Sequence, residues 1–448
     1  MKNMNRKSVY GLFFLLVGCS TQQAVVNVQD HRIDFDGASL KEGIPAYGKT
    51  EYVYQKDGKN RFKIDFGEPI VVAVADKPYK WGFFQFPGLY MSDQGEIVAR
   101  WNMAHDDAES YGKGGHGYAV SKDNGKTWTQ ADKPPIGGGL ALKNGEYINI
   151  HTPPAMPRKD LHLPEPIATV KEAYGRTFRF WKMEDLPKEL QGVYIQRRTK
   201  ERSEWIVEHN DINEPNMVRY SDNDLLPIVW WGDMKLEKDG SIVAGVYPGF
   251  TFVNGTVPPS DVAFYRSQDG GRSWSFIGRI PYHYDPIKDP KGGQRHALGW
   301  TEPAFEILQD GSYLSVIRTT DGLGNSPMYY SRSTDQGKSW NKPTAFTKAG
   351  VLPKLKQLDN GALVLAAGRP GLQIRVALDE EGEEWSDPFE MLPWLEGVDG
   401  NTLTCGYPEL LQTGKDKFLL IYSDFQYQTS NGEIRKAIKV REITVKPL

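Results

Sequence analysis

Two arginines and a tyrosine occupy equivalent places in a repeated strand pattern of this 448-residue chain. Arg318, Arg369 and Tyr247 each follow the glycine of a polar turn by seven or eight residues. Because equivalent positions of repeated strands end on the same side of an assembly, we expect these side chains to converge on one face. Guanidinium groups are planar, two-pronged donors that match a carboxylate, so the chemistry expected at that face involves a negatively charged molecule.

Two histidines add groups that can exchange protons near neutral pH. His105 stands beside Asp106 and Asp107, and His116 lies between two glycines, which let backbone and imidazole approach a ligand closely or simply form a flexible turn. The other histidines are scattered without the spacing of a zinc site, so no metal is expected, and calcium has no signature here. Dinucleotide and P-loop motifs do not occur, so no cofactor is expected either.

A repeated turn and strand must position these groups. A polar turn followed by a β-branched or aromatic run occurs six times, starting at Asp93, Asn144, Asp239, Asp310, Asn360 and Gly414. The steps between turns are about 50 residues, apart from two longer ones, which is the length of a four-stranded blade. The sequence therefore predicts an all-β, six-bladed β-propeller that forms one domain over residues 60–448.

A second repeat has the pattern Ser-x-Asp-x-Gly-x-x-Trp, at 121–128, 267–274 and 333–340, with an irregular fourth copy at 379–385. In such a turn the carboxylate accepts bonds from backbone N–H groups, the glycine takes a positive φ, and the indole packs behind the strands. We expect these aspartates to stabilise turns rather than to act on a substrate.

The longest step between turns holds residues 151–224, which are rich in proline and charge. We interpret this segment as strands with a loop that protrudes over one face of the ring. A seventh blade is the alternative.

The chain begins with a basic segment and a short apolar run, which is typical of a secretory signal over residues 1–18. The sequence Leu16-Val-Gly-Cys19 resembles the lipobox of bacterial lipoproteins, which implies cleavage before Cys19 and lipid on its sulfur. An ordinary signal peptide is the alternative. Residues 19–59 would then form the anchor and N-terminal segment of an outer-membrane lipoprotein in the bacterial cell envelope, facing the periplasm. Cys405 would have no disulfide partner.

The charge pattern limits the partners that we expect. The formal net charge is −3, without a basic stripe, so nucleic acid is not expected as a partner. We expect a monomer that meets the membrane through its lipid and binds an acidic oligo- or polysaccharide.

Between the repeats, residues 60–445 resemble the sialidase superfamily of six-bladed propellers. Glu302 leads a strand segment and Arg318 follows it by 16 residues, as in that family. Tyr407 stands later in the chain, before Pro408 and an apolar run, where the family has a tyrosine. The chain departs from the family at Gln85-Phe-Pro, where sialidases have Arg-Ile-Pro.

The resemblance implies roles for these residues. Tyr407 would be the nucleophile and Glu302 the base that takes its proton, because an anionic nucleophile would be repelled by the substrate's carboxylate. Arg318, with Arg369 or Arg375, would bind that carboxylate. Each residue also fits a structural role: Glu302 and the arginines as ion pairs between blades, and Tyr407 as a buried aromatic side chain.

The remaining candidates surround this group. The resemblance places the acid that protonates the leaving oxygen at Asp106 or Asp107, with His105 and His116 on the same rim. Gln85 takes the place of the missing arginine, and Tyr247 is expected to contact the substrate with it.

Three functions fit these residues. The first is an exo-acting, sialidase-like glycoside hydrolase that acts on an acidic glycan through a tyrosyl-sugar intermediate. The second is a polysaccharide lyase or dehydratase that acts by β-elimination on uronic-acid glycans such as ulvan, since that step needs only a carboxylate neutraliser and a tyrosine or histidine base. The third is a non-catalytic glycan-binding lipoprotein.

Overall fold

A computed structural model describes most of the chain. The described residues are 24–28, 43–107, 110–172, 174–320, 326–369, 371–393 and 400–448. Within these ranges the regular elements are β-strands and short 3-10 helices, the latter at Arg158–Asp160, Met183–Asp185, Lys188–Leu190, Gly292–Gln294 and Gly400–Thr402. The all-β prediction is confirmed. In the same ranges no helix has the length and apolar character needed to cross a bilayer.

The strands are numbered in chain order. The first group is β1 (Ala24–Val28), β2 (Ile44–Pro45), β3 (Thr50–Lys56), β4 (Lys59–Phe66), β5 (Ile70–Val74), β6 (Phe83–Met91), β7 (Ile97–Met103), β8 (His116–Ser121) and β9 (Thr129–Ala131). The second is β10 (Leu140–Ala141), β11 (Glu146–Ile150), β12 (Met156–Pro157), β13 (Ala168–Lys171), β14 (Thr177–Lys182), β15 (Val193–Thr199), β16 (Ile206–Asn213), β17 (Val218–Asp222) and β18 (Leu225–Leu226). The third is β19 (Trp231–Leu236), β20 (Ile242–Gly249), β21 (Asp261–Ser267), β22 (Ser273–Ile280), β23 (Trp300–Ile307), β24 (Tyr313–Thr319), β25 (Tyr329–Ser333) and β26 (Thr344–Ala345). The last is β27 (Val351–Gln357), β28 (Leu363–Gly368), β29 (Leu372–Val376), β30 (Phe389–Leu392), β31 (Glu409–Gly414), β32 (Lys417–Gln428) and β33 (Ile434–Pro447).

Most strands form antiparallel sheets of chain neighbours. We name these sheet 1 (β6–β9), sheet 2 (β10, β11, β15, β16), sheet 3 (β19–β22), sheet 4 (β23–β26), sheet 5 (β27–β30) and sheet 6 (β31–β33). Strand β33 of sheet 6 also pairs with β4 and β5, so the two ends of the described chain share one sheet. Sheets 2 and 3 are continuous through a short parallel pairing of β16 with β22.

The sheets pack face to face in the order of the chain. Ile421 and Val440 of sheet 6 share an apolar cluster with Ile97 of sheet 1. Similar clusters join sheets 2 and 3, 3 and 4, 4 and 5, and 5 and 6. Sheets 1 and 2 are linked by the ion pair of Asp93 and Arg198, with an N–O distance of 2.8 Å. Together these contacts join the six sheets into a ring. Each fully buried aliphatic side chain in the clusters contributes about 2 kcal/mol to its stability.

The repeated turns have the chemistry expected from their sequence. In the first copy, Asp123 Oδ1 accepts the N–H of Thr127 at 2.9 Å, and Gly125 has a φ of 86°. The Trp128 indole donates to the Gly125 carbonyl at 3.0 Å. The bonds from Thr127 come first in lowering the pKa of Asp123 to about 2. The predicted structural role of these aspartates is confirmed by this geometry.

The long step between turns contains a separate five-stranded sheet, which we call the inserted sheet. Its strand order is β12-β18-β17-β14-β13. Between β14 and β17 the chain forms β15 and β16, which belong to sheet 2, and then returns to the inserted sheet. Phe178 and Phe180 pack against Phe250 and Ala297 of the ring. Glu172 Oε2 fixes the contact, because it accepts the backbone N–H of Ala297 at 2.6 Å. The predicted signal segment and Cys19 lie outside the described residues.

Candidate active site

The ring surrounds a central cavity of about 1230 Å³. Every ring sheet supplies part of its wall: Phe86 (sheet 1), Gln196 (sheet 2), Trp231 (sheet 3), Glu302 and Arg318 (sheet 4), Lys354 (sheet 5) and Tyr407, just before sheet 6. The inserted sheet adds Phe178 and Tyr220. The cavity therefore brings side chains together from distant parts of the sequence, and its size suits a ligand larger than one sugar.

Three of the predicted residues meet directly in this wall. The Tyr407 hydroxyl donates a short hydrogen bond to Glu302 Oε1. Arg318 Nη1 donates to the Tyr407 oxygen at 2.9 Å and lies 2.7 Å from Glu302 Oε2. A phenol therefore contacts both a proton acceptor and a cation, which is the arrangement of an activated nucleophile.

The environment of Tyr407 favours its protonated form. Burial raises the pKa of Tyr407 well above its ordinary value, and the negative charge of Glu302 raises that pKa further. Arg318 and Arg369 act in the opposite direction on the same pKa. The phenol thus needs a base to lose its proton, and Glu302 is already hydrogen bonded to it.

An irregular backbone positions Glu302 at the start of β23. Its φ is 47°, and the pairing of β23 with β24 shifts register between Thr301 and Ala304. Left-handed φ is costly for a residue with a side chain, and more so before proline. The conformation is supported by the backbone N–H of Leu352, which donates to Glu302 Oε2 at 3.1 Å. This bulge turns the carboxylate into the cavity.

Arg369 faces the same group from sheet 5. Its guanidinium carbon lies 5.6 Å from the ring centre of Tyr407 and 5.5 Å from that of Trp81. Its Nη2 donates to the Cys405 carbonyl at 3.0 Å. The preceding Gly368 approaches Gly406 so closely that a Cβ on Gly368 would lie 2.4 Å from the Gly406 Cα. Glycine at both positions is what lets Arg369 and Tyr407 share one site.

Three proton-transfer candidates also line the cavity. Asp106 and His105 line the cavity and are exposed, and Asp106 Oδ2 accepts the Trp81 indole N–H at 2.8 Å. His116 also lines the cavity, and burial, followed by the charge of Arg100, lowers its pKa. The histidine is therefore neutral at pH 7 and can accept a proton.

Tyr247 lines the cavity as well. Burial raises its pKa well above the ordinary value, with the charge of Glu302 as the next cause. Its ring lies 5.9 Å from that of Trp231. The cavity thus contains Tyr407, Glu302, Arg318, Arg369, Tyr247, Asp106, His105 and His116 from the residues that the sequence predicted.

Three other predicted residues lie elsewhere. Gln85 is fully buried and is not among the described residues that line the cavity, because register shifts on both sides of it turn Phe86 inward instead. Arg375 points away and donates to the Ser386 carbonyl at 2.9 Å. Asp107 faces a neighbouring cavity and accepts the Ser110 hydroxyl at 2.6 Å. These placements correct the predicted substrate contacts of Gln85 and Arg375.

Several cavity residues were not predicted from sequence. Trp81, Phe86, Tyr111, Trp231 and Lys354 line the wall, and none belongs to a recognisable motif. Phe86 alone had a signal, since it precedes a proline as Glu302 does. No group of three or more histidine, cysteine or acidic side chains is placed to hold a metal ion in the described ranges.

Comparisons with known proteins gave matches in three-dimensional structure and none in sequence. No protein-family profile matches the chain, and no curated protein matches its sequence. Among solved structures, it is similar to a protein of unknown function from Dyadobacter fermentans DSM 18053, with 18% identity and a TM-score of 0.52 over 85% of this chain and 99% of that one. It is also similar to the Hadza microbial sialidase Hz136, with 13% identity and a TM-score of 0.44 over 81% of this chain and 65% of that one. It is similar as well to a Penicillium chrysogenum α-L-arabinanase in complex with arabinobiose, with 14% identity and a TM-score of 0.45 over 84% of this chain and 98% of that one. At 18% identity, the likeness to the Dyadobacter fermentans protein shows a shared fold.

Proposed function

We propose that this protein is a carbohydrate-active enzyme, an exo-acting, sialidase-like glycoside hydrolase that cleaves an acidic glycan on a six-bladed propeller. In this proposal each ring sheet is one blade. The observation that carries it is the contact of Tyr407 with both Glu302 and Arg318 in the wall of the central cavity.

The first step would form a tyrosyl-sugar intermediate. The Tyr407 oxygen bonds to the anomeric carbon while the bond from that carbon to the leaving oxygen breaks, and the phenol proton passes to Glu302. Arg318, 2.9 Å from the Tyr407 oxygen, stabilises the negative charge that develops there. A neutral phenol avoids repulsion by the carboxylate of the substrate, which is why its raised pKa suits this reaction.

Asp106 is the better candidate for the acid. It lines the central cavity, whereas Asp107 does not do so within the described ranges. Asp106 would protonate the leaving oxygen, then remove a proton from the water that releases the sugar from Tyr407. Arg369, fixed between Trp81 and Tyr407, would bind the substrate carboxylate.

Replacement of Tyr407 tests this mechanism. Tyr407→Phe keeps the ring and removes the attacking oxygen, so we expect hydrolysis of sialyl or uronyl aryl glycosides to fall by at least about a hundredfold, the effect of losing a catalytic group. The measurement is kcat/KM from release of the aryl group. Tyr284→Phe is the matched control, because Tyr284 does not line the central cavity within the described residues. Unchanged turnover of every acidic glycoside by Tyr407→Phe would refute the mechanism.

A second candidate is β-elimination on a uronate glycan. It is favoured by His116, which lines the cavity and whose lowered pKa makes it a neutral base. Elimination creates an unsaturated uronate that absorbs ultraviolet light, and hydrolysis does not. Both reactions release one new reducing end for each bond broken, so absorbance that rises in proportion to the new reducing ends would establish the lyase, and new reducing ends without absorbance would establish the hydrolase.

The third candidate, a non-catalytic glycan-binding lipoprotein, predicts binding of acidic glycans without turnover. In each case we propose a monomer anchored by lipid on Cys19 to the outer membrane, facing the periplasm. Metabolic labelling with radioactive palmitate tests the anchor. Label on the wild type and none on Cys19→Ala is the expected result, and equal labelling would refute it.

A further inference from the structure

A second cavity opens beside the central one, against the inserted sheet. It has a volume of about 790 Å³, within the range of ligand pockets. Its wall is formed by the end of β12 and the segment that follows it, by the residue before β14, by the turn from β17 to β18 and by the loop after β7. Among the wall residues are Arg158, Lys159, Leu161 and Asp224. The site described above does not use these residues.

The two cavities share part of their walls. Arg176 and Asp222 line both, and Arg176 Nη1 lies 2.9 Å from Asp222 Oδ2, so this ion pair stands between them. Asp106 lines the central cavity, and the next residue, Asp107, lines the second. The two cavities therefore adjoin at this ion pair and at the loop after β7.

The position of Asp106 indicates which part of a substrate would extend that way. An acid that protonates the leaving oxygen must lie on the leaving-group side of the broken bond. The second cavity begins on that side, since Asp107 is adjacent to Asp106 in sequence. The sugar that reacts would sit at Tyr407, and the rest of the glycan would lead away toward the inserted sheet.

The wall of the second cavity has the chemistry of a sugar-binding surface. Leu161, Leu163 and Leu225 offer apolar contacts for the C–H face of a sugar ring. Lys159 is exposed, and Asp224 lies 3.8 Å from Arg158, so donors and acceptors stand beside the apolar groups. Lys159 also favours a sugar that carries an anionic or strongly polar substituent.

From these contacts we propose that the second cavity binds the leaving-group portion of an acidic oligosaccharide, that is, at least one sugar beyond the scissile bond. This proposal rests on the proposed function. It makes the protein selective for oligosaccharides over single glycosides, a property that the inserted sheet adds to the ring.

Binding to the Tyr407→Phe variant of the full chain tests the proposal, since that change keeps the ligand intact. Isothermal titration would compare N-acetylneuraminic acid with 3′-sialyllactose, and galacturonic acid with its trimer. The quantity of interest is the ratio of affinities, oligosaccharide to monosaccharide, within a pair. We expect the oligosaccharide to bind about tenfold more tightly, as one added charge-assisted hydrogen bond would give.

Lys159→Glu should reduce this ratio of affinities to about one. Lys188→Glu is the matched control, because Lys188 is an exposed lysine of the same inserted segment that lines neither cavity within the described residues, and it should leave the ratio unchanged. Equal affinities for both members of a pair, or a ratio insensitive to Lys159→Glu, would overturn the second binding site while leaving the proposed function intact. If no sugar of either pair binds, both proposals fail.

Discussion

Substitution of Arg369 separates the two arginines that the sequence could not distinguish. Its guanidinium is fixed by the Cys405 carbonyl at 3.0 Å and by the ring faces of Trp81 and Tyr407. A guanidinium held in this way can give a substrate carboxylate two charge-assisted hydrogen bonds, together worth about 3 kcal/mol. Arg369→Met removes both and should lower kcat/KM about 150-fold. Arg369→Lys keeps the charge and one donor, so about a tenfold loss is expected.

The assay is kcat/KM on one acidic aryl glycoside, with a thermal melt to verify folding of each variant. Arg375→Lys is the matched control, since the Arg375 side chain contacts the Ser386 carbonyl away from the cavity. We expect it to retain wild-type kcat/KM. Equal losses for Arg369→Lys and Arg369→Met would show that the positive charge alone contributes nothing, against the expected difference between the two variants. Losses for Arg375→Lys as large as these would refute the assignment of Arg369.

Three further predictions follow from single contacts. Burial raises the pKa of Asp261 to about 6, from 3.8 when unfolded, so its contribution to stability is fully present below pH 3.8 and is lost as pH rises through 6. The wild type should lose about 3 kcal/mol of unfolding free energy over this pH range, as measured by urea titration, and Asp261→Asn should not show this loss. The same pH dependence of the unfolding free energy in both proteins would contradict the prediction. Trp81→Phe keeps an aromatic ring and removes the hydrogen bond to Asp106. Because that bond would position the acid, kcat should fall about tenfold for glycosides with poor leaving groups and less for nitrophenyl glycosides. An equal fall for both would show that Trp81 does not assist Asp106 as an acid. Gln85→Arg should destabilise the fold by about 3 kcal/mol, because it buries a charge. Phe86→Arg should place a cation in the cavity and tighten the binding of acidic sugars. A lower melting temperature for Phe86→Arg than for Gln85→Arg, together with tighter sugar binding by Gln85→Arg, would refute the placement of these two side chains.

The fold was predictable because its signals are local. The turn of Asp123, Gly125 and Trp128 uses hydrogen bonds within eight residues, so the sequence pattern and the structure coincide. The inserted sheet was not predictable in the same way. Its strands β14 and β17 are adjacent in space but are separated in the chain by two strands of sheet 2, and no local pattern records such a pairing.

The resemblance selected Tyr407 and Glu302, which the structure brings together in the wall of the central cavity. The aromatic wall was not predictable. Trp231 lies at the start of β19, where no residue is fully buried and the burial does not alternate, so no local pattern marks the side that faces the cavity. Arg369 directly follows β28 and Arg375 lies within β29, and composition cannot separate the two. Only the packing of Gly368 on Gly406 directs one of them toward Tyr407.

A repeated backbone feature explains why Glu302 reaches the cavity and Gln85 does not. Phe86, Glu302 and Leu352 each precede a proline at the start of an inner strand, and their φ angles are 50°, 47° and 40°. All three line the central cavity. The residues one position earlier, Gln85, Thr301 and Val351, are buried, and of these only Thr301 also lines the cavity within the described residues.

The ring therefore supplies the same inward-facing position in at least three sheets, and chemistry depends on which side chain occupies it. Glutamate at one such position accepts the hydrogen bond of the Tyr407 hydroxyl, while Phe86 packs edge-on against Tyr407 with ring centres 4.9 Å apart. Strain in the left-handed region is present at all three positions, so it follows from the architecture and not from catalysis. A repeated fold thus provides several equivalent places for a catalytic group, and a substitution at any of them changes the cavity without changing the strands that form it.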